Sequence, residues 1–309
     1  MKLLLFGADG QVGFELLRTL APLGEVVPAT RKGVVPGNAV CLRVDLGRPD
    51  SLSAAIDAAQ PDWIVNAAAW TAVDRAEDEP DAARRANADA LAVIGEAAAR
   101  RGARVLHYST DYVFSGEGSR PWREDDPTGP LSAYGQSKLD GERELAASGA
   151  RYLVFRIAWI YAARGHNFLR TMLRLAAERD RLAVVDDQQG CPTPARFVAE
   201  ATAQAIARHS AAAPADRMRL EGIFHLACRG QTSWHGFAVA LLERALRAGL
   251  VVRMPEVAPI RSADFPTRAR RPAWSVLDTA RLRDAFGLHM PHWQQELDAV
   301  IGELAAARG

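Results

Sequence analysis

The first thirteen residues constrain the fold most. Met1-Lys-Leu-Leu-Leu-Phe6 is an apolar run of strand length, Gly7-Ala-Asp-Gly10-Gln-Val-Gly13 follows it, and Phe14, Leu16, Leu17 and Leu20 then recur at helical spacing. Strand, glycine turn and helix in that order make a dinucleotide site. The glycines, Gly7 and Gly10 foremost, let the backbone approach a diphosphate, and the N–H groups and dipole of the helix start favour the anion. The spacing is G-x-x-G-x-x-G, so the assignment rests on its context, strand before and helix after.

Downstream, apolar segments at 25–29, 40–44, 62–66, 104–108 and 152–157 alternate with helices or loops, which is the order of a parallel, doubly wound sheet. Residues 74–101 carry almost no breaker after Pro80 and predict one long helix, entered through the Pro80-containing turn. Beyond Tyr161 prolines such as Pro192, Pro194, Pro255, Pro259, Pro266, Pro272 and Pro291 punctuate shorter elements, and residues 223–226 read as a buried strand that returns to the sheet. The expected class is α/β, a Rossmann-like doubly wound parallel sheet with a smaller, partly interleaved substrate-binding domain. Residues 1–160 form its dinucleotide-binding part, with segments near 182–205 and 222–250 returning to it, and residues 161–309 mainly bind substrate. A formal net charge of +1 gives no bulk attraction for nucleic acid or membrane. The chain opens on no leader-like pattern and holds no apolar run near the ~20 residues that span a bilayer, so a cytoplasmic enzyme acting on a small molecule is expected. Cys41, Cys191 and Cys228 are too few and scattered for a disulfide framework or a zinc site.

The chemistry lies in Tyr134-Gly-Gln-Ser-Lys138. Residues four apart share a helix face, so a phenol and an ammonium can reach one pocket, and a nearby cation favours the phenolate. The chain holds 35 arginines but three lysines (Lys2, Lys32, Lys138), so a lysine at 138 points to a chemical requirement, whereas a generic surface cation would be arginine. Ser109-Thr-Asp-Tyr112 follows the 104–108 strand, where open α/β sheets place their ligand crevice. Thr110 there can donate to a reacting carbonyl, with Asp111 and Tyr112 orienting a sugar, or these side chains simply cap the turn. The second strand ends Ala29-Thr-Arg-Lys32, with no acid for the ribose hydroxyls of NAD. Arg31 and Lys32 suit the 2′-phosphate of NADP, unless both are solvated turn residues. NADPH is therefore the expected cofactor, with NADH also accepted.

These segments resemble the extended short-chain dehydrogenase/reductases, and among them most closely the dTDP-4-dehydrorhamnose reductases, over nearly the whole length. The matching stretches are residues 7–13, Asn66-Ala-Ala-Ala-Trp-Thr-Ala-Val-Asp74, His107-Tyr-Ser-Thr-Asp-Tyr-Val-Phe114, residues 134–138, Phe155-Arg-Ile-Ala-Trp-Ile-Tyr161, Asn167-Phe-Leu-Arg170, Asp187-Gln-Gln-Gly-Cys-Pro-Thr193, Pro266-Thr267 and Arg271-Pro272. The resemblance implies reduction of a nucleotide-linked 4-keto sugar, with Thr110, Tyr134 and Lys138 catalytic and Lys138 also bonding the nicotinamide ribose. It implies cofactor contacts from Gln11, Val12, Asp45, Leu46, Ala67, Ala68, Ala69, Thr71 and Tyr108. Sugar-nucleotide contacts come from Asp111, Tyr112, Trp159, Asn167 and Arg271; Trp159 is otherwise a core aromatic. Some members are bridged into dimers by Mg2+ on glutamates; Glu15 and Glu303 match two ligands, but Arg196 stands where the third acid would be. No metal is therefore expected, and the chain is a monomer or a metal-independent homodimer. Two other functions share these motifs: a nucleotide-sugar epimerase that recycles its cofactor, and a non-catalytic NADP-binding regulatory subunit.

Overall fold

The computed structural model describes residues 1–307. Strand β1 (Lys2–Phe6) lies mid-sheet, and its side chains alternate between two cores: Leu3 and Leu5 enter one, Leu4 and Phe6 the other. Burial on both faces is why this strand reads as an unbroken apolar run. Around it stand β2 (Glu25–Thr30), β3 (Leu42–Arg43), β4 (Trp63–Asn66), β5 (Arg104–Thr110), β6 (Arg151–Ile157) and a last strand, Gly222–Leu226. Their order is β3, β2, β1, β4, β5, β6, Gly222–Leu226, with every neighbouring pair parallel. The order reverses between β1 and β4, and in such sheets the crevice at the carboxyl ends of those strands receives the ligand. Helices α1 (Gln11–Leu20) and a later one, Ala195–Ala211, cover one face; α2 (Pro49–Ala59) covers the other with two helices described next.

Residues 74–101 do not form one helix. They divide into α3 (Val73–Asp78), α4 (Pro80–Arg84), a π-helical turn Arg85–Asp89 and α5 (Ala90–Arg101). The widened turn carries Asn87, which is 1 % exposed. Its Oδ1 accepts from Trp70 N at 2.8 Å, and its Nδ2 donates to Trp70 O and Ser137 Oγ, both at 3.0 Å. Helix α6 (Ala133–Ala147) approaches the same turn so closely that a Cβ on Gly141 would lie 2.0 Å from Asn87 O. Those tertiary contacts, absent from any local pattern, mark the widened turn, while the helix runs on from Pro80 to Arg101 and the interruption lies at Glu79, just before Pro80.

A second core is built from α7 (Phe168–Glu178) and helices Trp234–Arg247 and Trp293–Ala306 around Leu169, Phe237, Leu241 and Ile301. The return to the main sheet is narrower than the expected 182–205 and 222–250. Helix Ala195–Ala211 and strand Gly222–Leu226 make it, whereas Arg181–Val185 pairs with Glu256–Ile260 and, like Trp234–Arg247, packs in the second core.

Candidate active site

The glycine turn is shaped by close approach. Gly7 has φ +77°, and a Cβ there would lie 2.7 Å from Ala68 N, so the ends of β1 and β4 touch. Gly10 caps α1 without offering a side-chain acceptor, and the first-turn N–H groups of Gln11 and Val12 remain for an external anion. The Val12 side chain lies in the core, leaving only its backbone for a ligand. Such a cradle fits a dinucleotide diphosphate. Ala67, Ala68 and Ala69 are half-buried beside it, and Thr71 is exposed farther along the same loop. At the end of β2, Arg31 and Lys32 are exposed. Thr30 is not available to a ribose: its hydroxyl accepts from Gly33 N and Val34 N and donates to Val34 O. Asp45 Oδ1 accepts from Gly47 N at 2.9 Å, and Leu46 is half-buried next to it.

Tyr134 and Lys138 sit in the first turns of α6, which Ser132 caps by accepting from Gly135 N at 3.1 Å. A Cβ on Gly135 would be 2.4 Å from Tyr112 O, so this helix start is pressed against the turn that follows β5. The Tyr134 ring meets Tyr112 edge-on, centroids 5.9 Å apart. Lys138 is 1 % exposed and turns towards β5: Nζ donates to Tyr108 O at 2.6 Å and lies 2.9 Å from His107 Nε2. The other imidazole nitrogen meets Asn66 Nδ2 at 3.1 Å, and Ala68 N donates to Asn66 Oδ1, so a buried polar chain links the lysine to the loop after β4. The expected acidification of Tyr134 is not seen in this arrangement. Burial pushes the phenol up to about 12, opposed only in part by the Thr110 hydroxyl, and pushes the Lys138 amine down to about 7. Desolvation outweighs the mutual effect of the pair because Nζ is engaged by β5.

Tyr108 differs from its expected cofactor contact. Side chains along β5 alternate, so Tyr108 points with Leu106 into the α1 face, where its hydroxyl lies 2.8 Å from Thr202 Oγ1; only its carbonyl reaches the catalytic side, through Lys138. His107 and Asn66 are buried polar neighbours of Lys138 that no local motif singled out. Their signal was available: two polar residues in apolar strands, at positions that pair directly across β4 and β5.

A cavity of about 990 Å³ opens beside this centre, lined by Phe168, Met172, Trp234, Arg268 and Arg271 among others. Thr110, Tyr134 and Lys138 are not among its lining residues. Trp159, at φ +48°, stacks on Trp234 with centroids 3.6 Å apart, and a Cβ on Gly190 would strike its indole at 2.3 Å. Arg271 is held by Asp74 at 2.7 and 3.1 Å. The Asn167 amide is committed internally: Oδ1 caps α7 by accepting from Arg170 N, while Nδ2 faces Gln11 Oε1 at 2.8 Å and the Ala162 and Arg164 carbonyls. Asn167→Ala is therefore expected to destabilise the fold by about 1–3 kcal/mol, through a lost cap and a lost tether to α1. Urea denaturation would show it; an unchanged midpoint would return Asn167 to a purely ligand-binding role.

A family profile described as the RmlD substrate binding domain matches residues 1–306. A dTDP-4-dehydrorhamnose reductase of Burkholderia thailandensis is 45% identical over 306 residues, 98% of this chain and 99% of that protein. The chain belongs to the dTDP-4-dehydrorhamnose reductase family. Among solved structures, a dTDP-4-dehydrorhamnose reductase of Clostridium acetobutylicum superposes with TM-score 0.86 at 33% identity, covering 98% of this chain and 99% of that one. The Bacillus anthracis reductase, solved in complex with NADP, superposes with TM-score 0.85 at 29% identity over 98% and 99% of the two chains. Both overlays span the glycine cradle and the second core together, so the family fold, a Rossmann-like α/β sheet with its appended lobe, is this chain's fold.

Proposed function

We propose that this chain reduces the 4-keto group of dTDP-6-deoxy-L-lyxo-4-hexulose to give dTDP-L-rhamnose, using NADPH and, less well, NADH. The observation that carries this reading is the convergence of Thr110, Tyr134 and Lys138 at the carboxyl end of β5, beside the glycine cradle of β1. NADPH, when bound, supplies the hydride. The chain's own groups do the rest. The start of α1 holds the diphosphate, and Lys138, braced on β5 through the Tyr108 carbonyl, reaches the nicotinamide ribose. Tyr134 stays protonated at neutral pH until the carbonyl oxygen gains charge, then releases its proton to that oxygen. Thr110 donates a hydrogen bond to the same oxygen as its charge develops. The Trp159–Trp234 stack offers a flat wall for the sugar nucleotide, and the guanidinium of Arg271, held by Asp74, suits its diphosphate. In this reading residues 1–160 bind the dinucleotide and the chain beyond 161 mainly binds the sugar nucleotide.

Arg196 supports a metal-independent assembly, monomer or homodimer. Its guanidinium lies 3.6 Å from Glu303 and 3.9 Å from Glu200, so a fixed cation occupies the carboxylate cluster that includes Glu15. Among the described residues no helix is long and apolar enough to cross a membrane. That suits a cytoplasmic biosynthetic enzyme.

The test is incubation with the dTDP-linked 4-keto sugar and NADPH in EDTA, following nicotinamide absorbance and product. Stoichiometric NADPH oxidation is expected. An epimerised sugar with no net NADPH loss, or NADP binding without turnover, would sink the reading. Arg31→Ala is expected to raise KM for NADPH about tenfold and leave NADH unchanged, the loss of one charge-assisted phosphate contact. Equal effects on both cofactors would place Arg31 in solvent.

A further inference from the structure

Thr110 has one hydroxyl proton and two acceptor lone pairs. Its proton goes to Asp111 Oδ1 at 2.9 Å, and one lone pair receives Tyr112 N–H at 3.2 Å. A hydroxyl so oriented has no proton left for a carbonyl oxygen. Asp111 is 2 % exposed; the Ser275 hydroxyl stands near its carboxyl but donates to Gln189 O, and Oδ2 has no hydrogen-bond partner among the described residues. A carboxylate in that position is costly, whereas the neutral acid is both cheaper to bury and a donor. For the reduction proposed above, and resting on it, we propose that Asp111 is a positioning residue that acts through Thr110. Neutral Asp111 donates to the second lone pair of Thr110 Oγ1 and turns the Thr110 proton out to the keto oxygen, while ionised Asp111 holds that proton back. With substrate bound, Tyr112 N–H and Asp111 O–H donate to Thr110 and Thr110 donates to substrate, while the Tyr134 hydroxyl, which lies beside Thr110, turns to the same keto oxygen.

The ionisable groups around Asp111 are Tyr112 and Tyr134, both harder to ionise while Asp111 is charged. Arg271 bonds Tyr112 and pairs with Asp74, and Lys138 and His107 lie on α6 and β5. Burial, opposed by the hydroxyls of Ser275 and Thr110, pushes the Asp111 carboxyl up to about 7. The working form is the protonated one, so turnover should be full below that pH and fall above it.

The experiment is the pH dependence of kcat, from about pH 5.5 to 9 at saturating NADPH and keto sugar, for the wild type, Asp111→Asn and Thr110→Val. Wild-type kcat is expected to fall about tenfold per pH unit on its alkaline limb. Asp111→Asn donates to Thr110 at every pH; it is expected to lower kcat by less than about tenfold at acid pH and to lose the limb. Lys138, pushed down to about 7 by the same burial, would give a limb of its own that Asp111→Asn leaves in place. Loss of the limb in that variant therefore assigns it to Asp111. Thr110→Val should turn over about 10²-fold more slowly with no limb, because Asp111 then has no hydroxyl to orient. An alkaline limb that persists in either variant would overturn the proposal, and the valine variant decides alone where the asparagine variant does not fold. A wild type that never reduces the keto sugar overturns the functional reading itself, a result distinct from a normal enzyme with unchanged variant profiles.

Discussion

Tyr134→Phe is expected to lower kcat by about 10²–10⁴-fold while NADPH still binds. The substitution keeps the ring, and with it the edge-on contact to Tyr112 at 5.9 Å and the packing of α6 against the turn after β5. Only the hydroxyl is lost, and that hydroxyl holds the proton the reduced carbonyl must receive. Burial keeps it protonated across the neutral range, since the phenol sits at about 12. The group therefore acts as an acid only when negative charge develops beside it, which makes its loss a loss in the transition state rather than in binding. Steady-state kinetics and a fluorescence titration with NADPH separate the two quantities. Retention of near-wild-type kcat would remove Tyr134 from the mechanism and leave water, or Lys138, as the proton source.

Gly13→Ala is expected to weaken NADPH binding at least about 100-fold and to lower Tm, the larger structural effect of any single methyl in the site. Its Cβ would stand 1.9 Å from Gly7 O and 2.7 Å from Gly7 C, both backbone atoms of the turn that cradles the diphosphate. Neither atom belongs to a flexible side chain, so α1 must shift away from β1 or the turn must open. Gly10→Ala supplies the contrast. There the new Cβ meets Gly7 O at 3.2 Å, a displacement of a few tenths of an ångström, and a much smaller loss is expected. Equal affinities for the two variants, measured by titration calorimetry, would mean that the cradle is not where the dinucleotide sits.

The inner strands of the main sheet were legible because burial on both faces writes continuous apolar runs, whereas of the expected strand 40–44 only the edge pair Leu42–Arg43 forms and Val40 is 88 % exposed. The end of β2 was read less well. Only Arg31 and Lys32 were read there, for a cofactor phosphate, and nothing local showed that the Thr30 hydroxyl closes the turn to Val34 while the two cations remain exposed. Asn167 and Arg271 were legible as important residues but not as to their partners. One caps α7 and tethers Gln11, and the other is gripped by Asp74, 197 positions away in the chain.

By itself the sequence determined the glycine turn and its helix, the parallel α/β sheet, the Tyr134–Lys138 pair and the position of Thr110 at a strand end. Each of these depends on neighbours within a few residues, through helical spacing, strand alternation or the small size of glycine. Tertiary structure alone decided that the helix after Pro80 widens into a π-turn at Asn87, that Lys138 faces His107 and not the Tyr134 phenol, and that Asp111 is shut from solvent beside Thr110. Those outcomes depend on how close separate elements come and on how much water they exclude. Hydrogen-bond partners and the cost of burying charge are set across the fold, between residues whose spacing along the chain carries no sign of the contact.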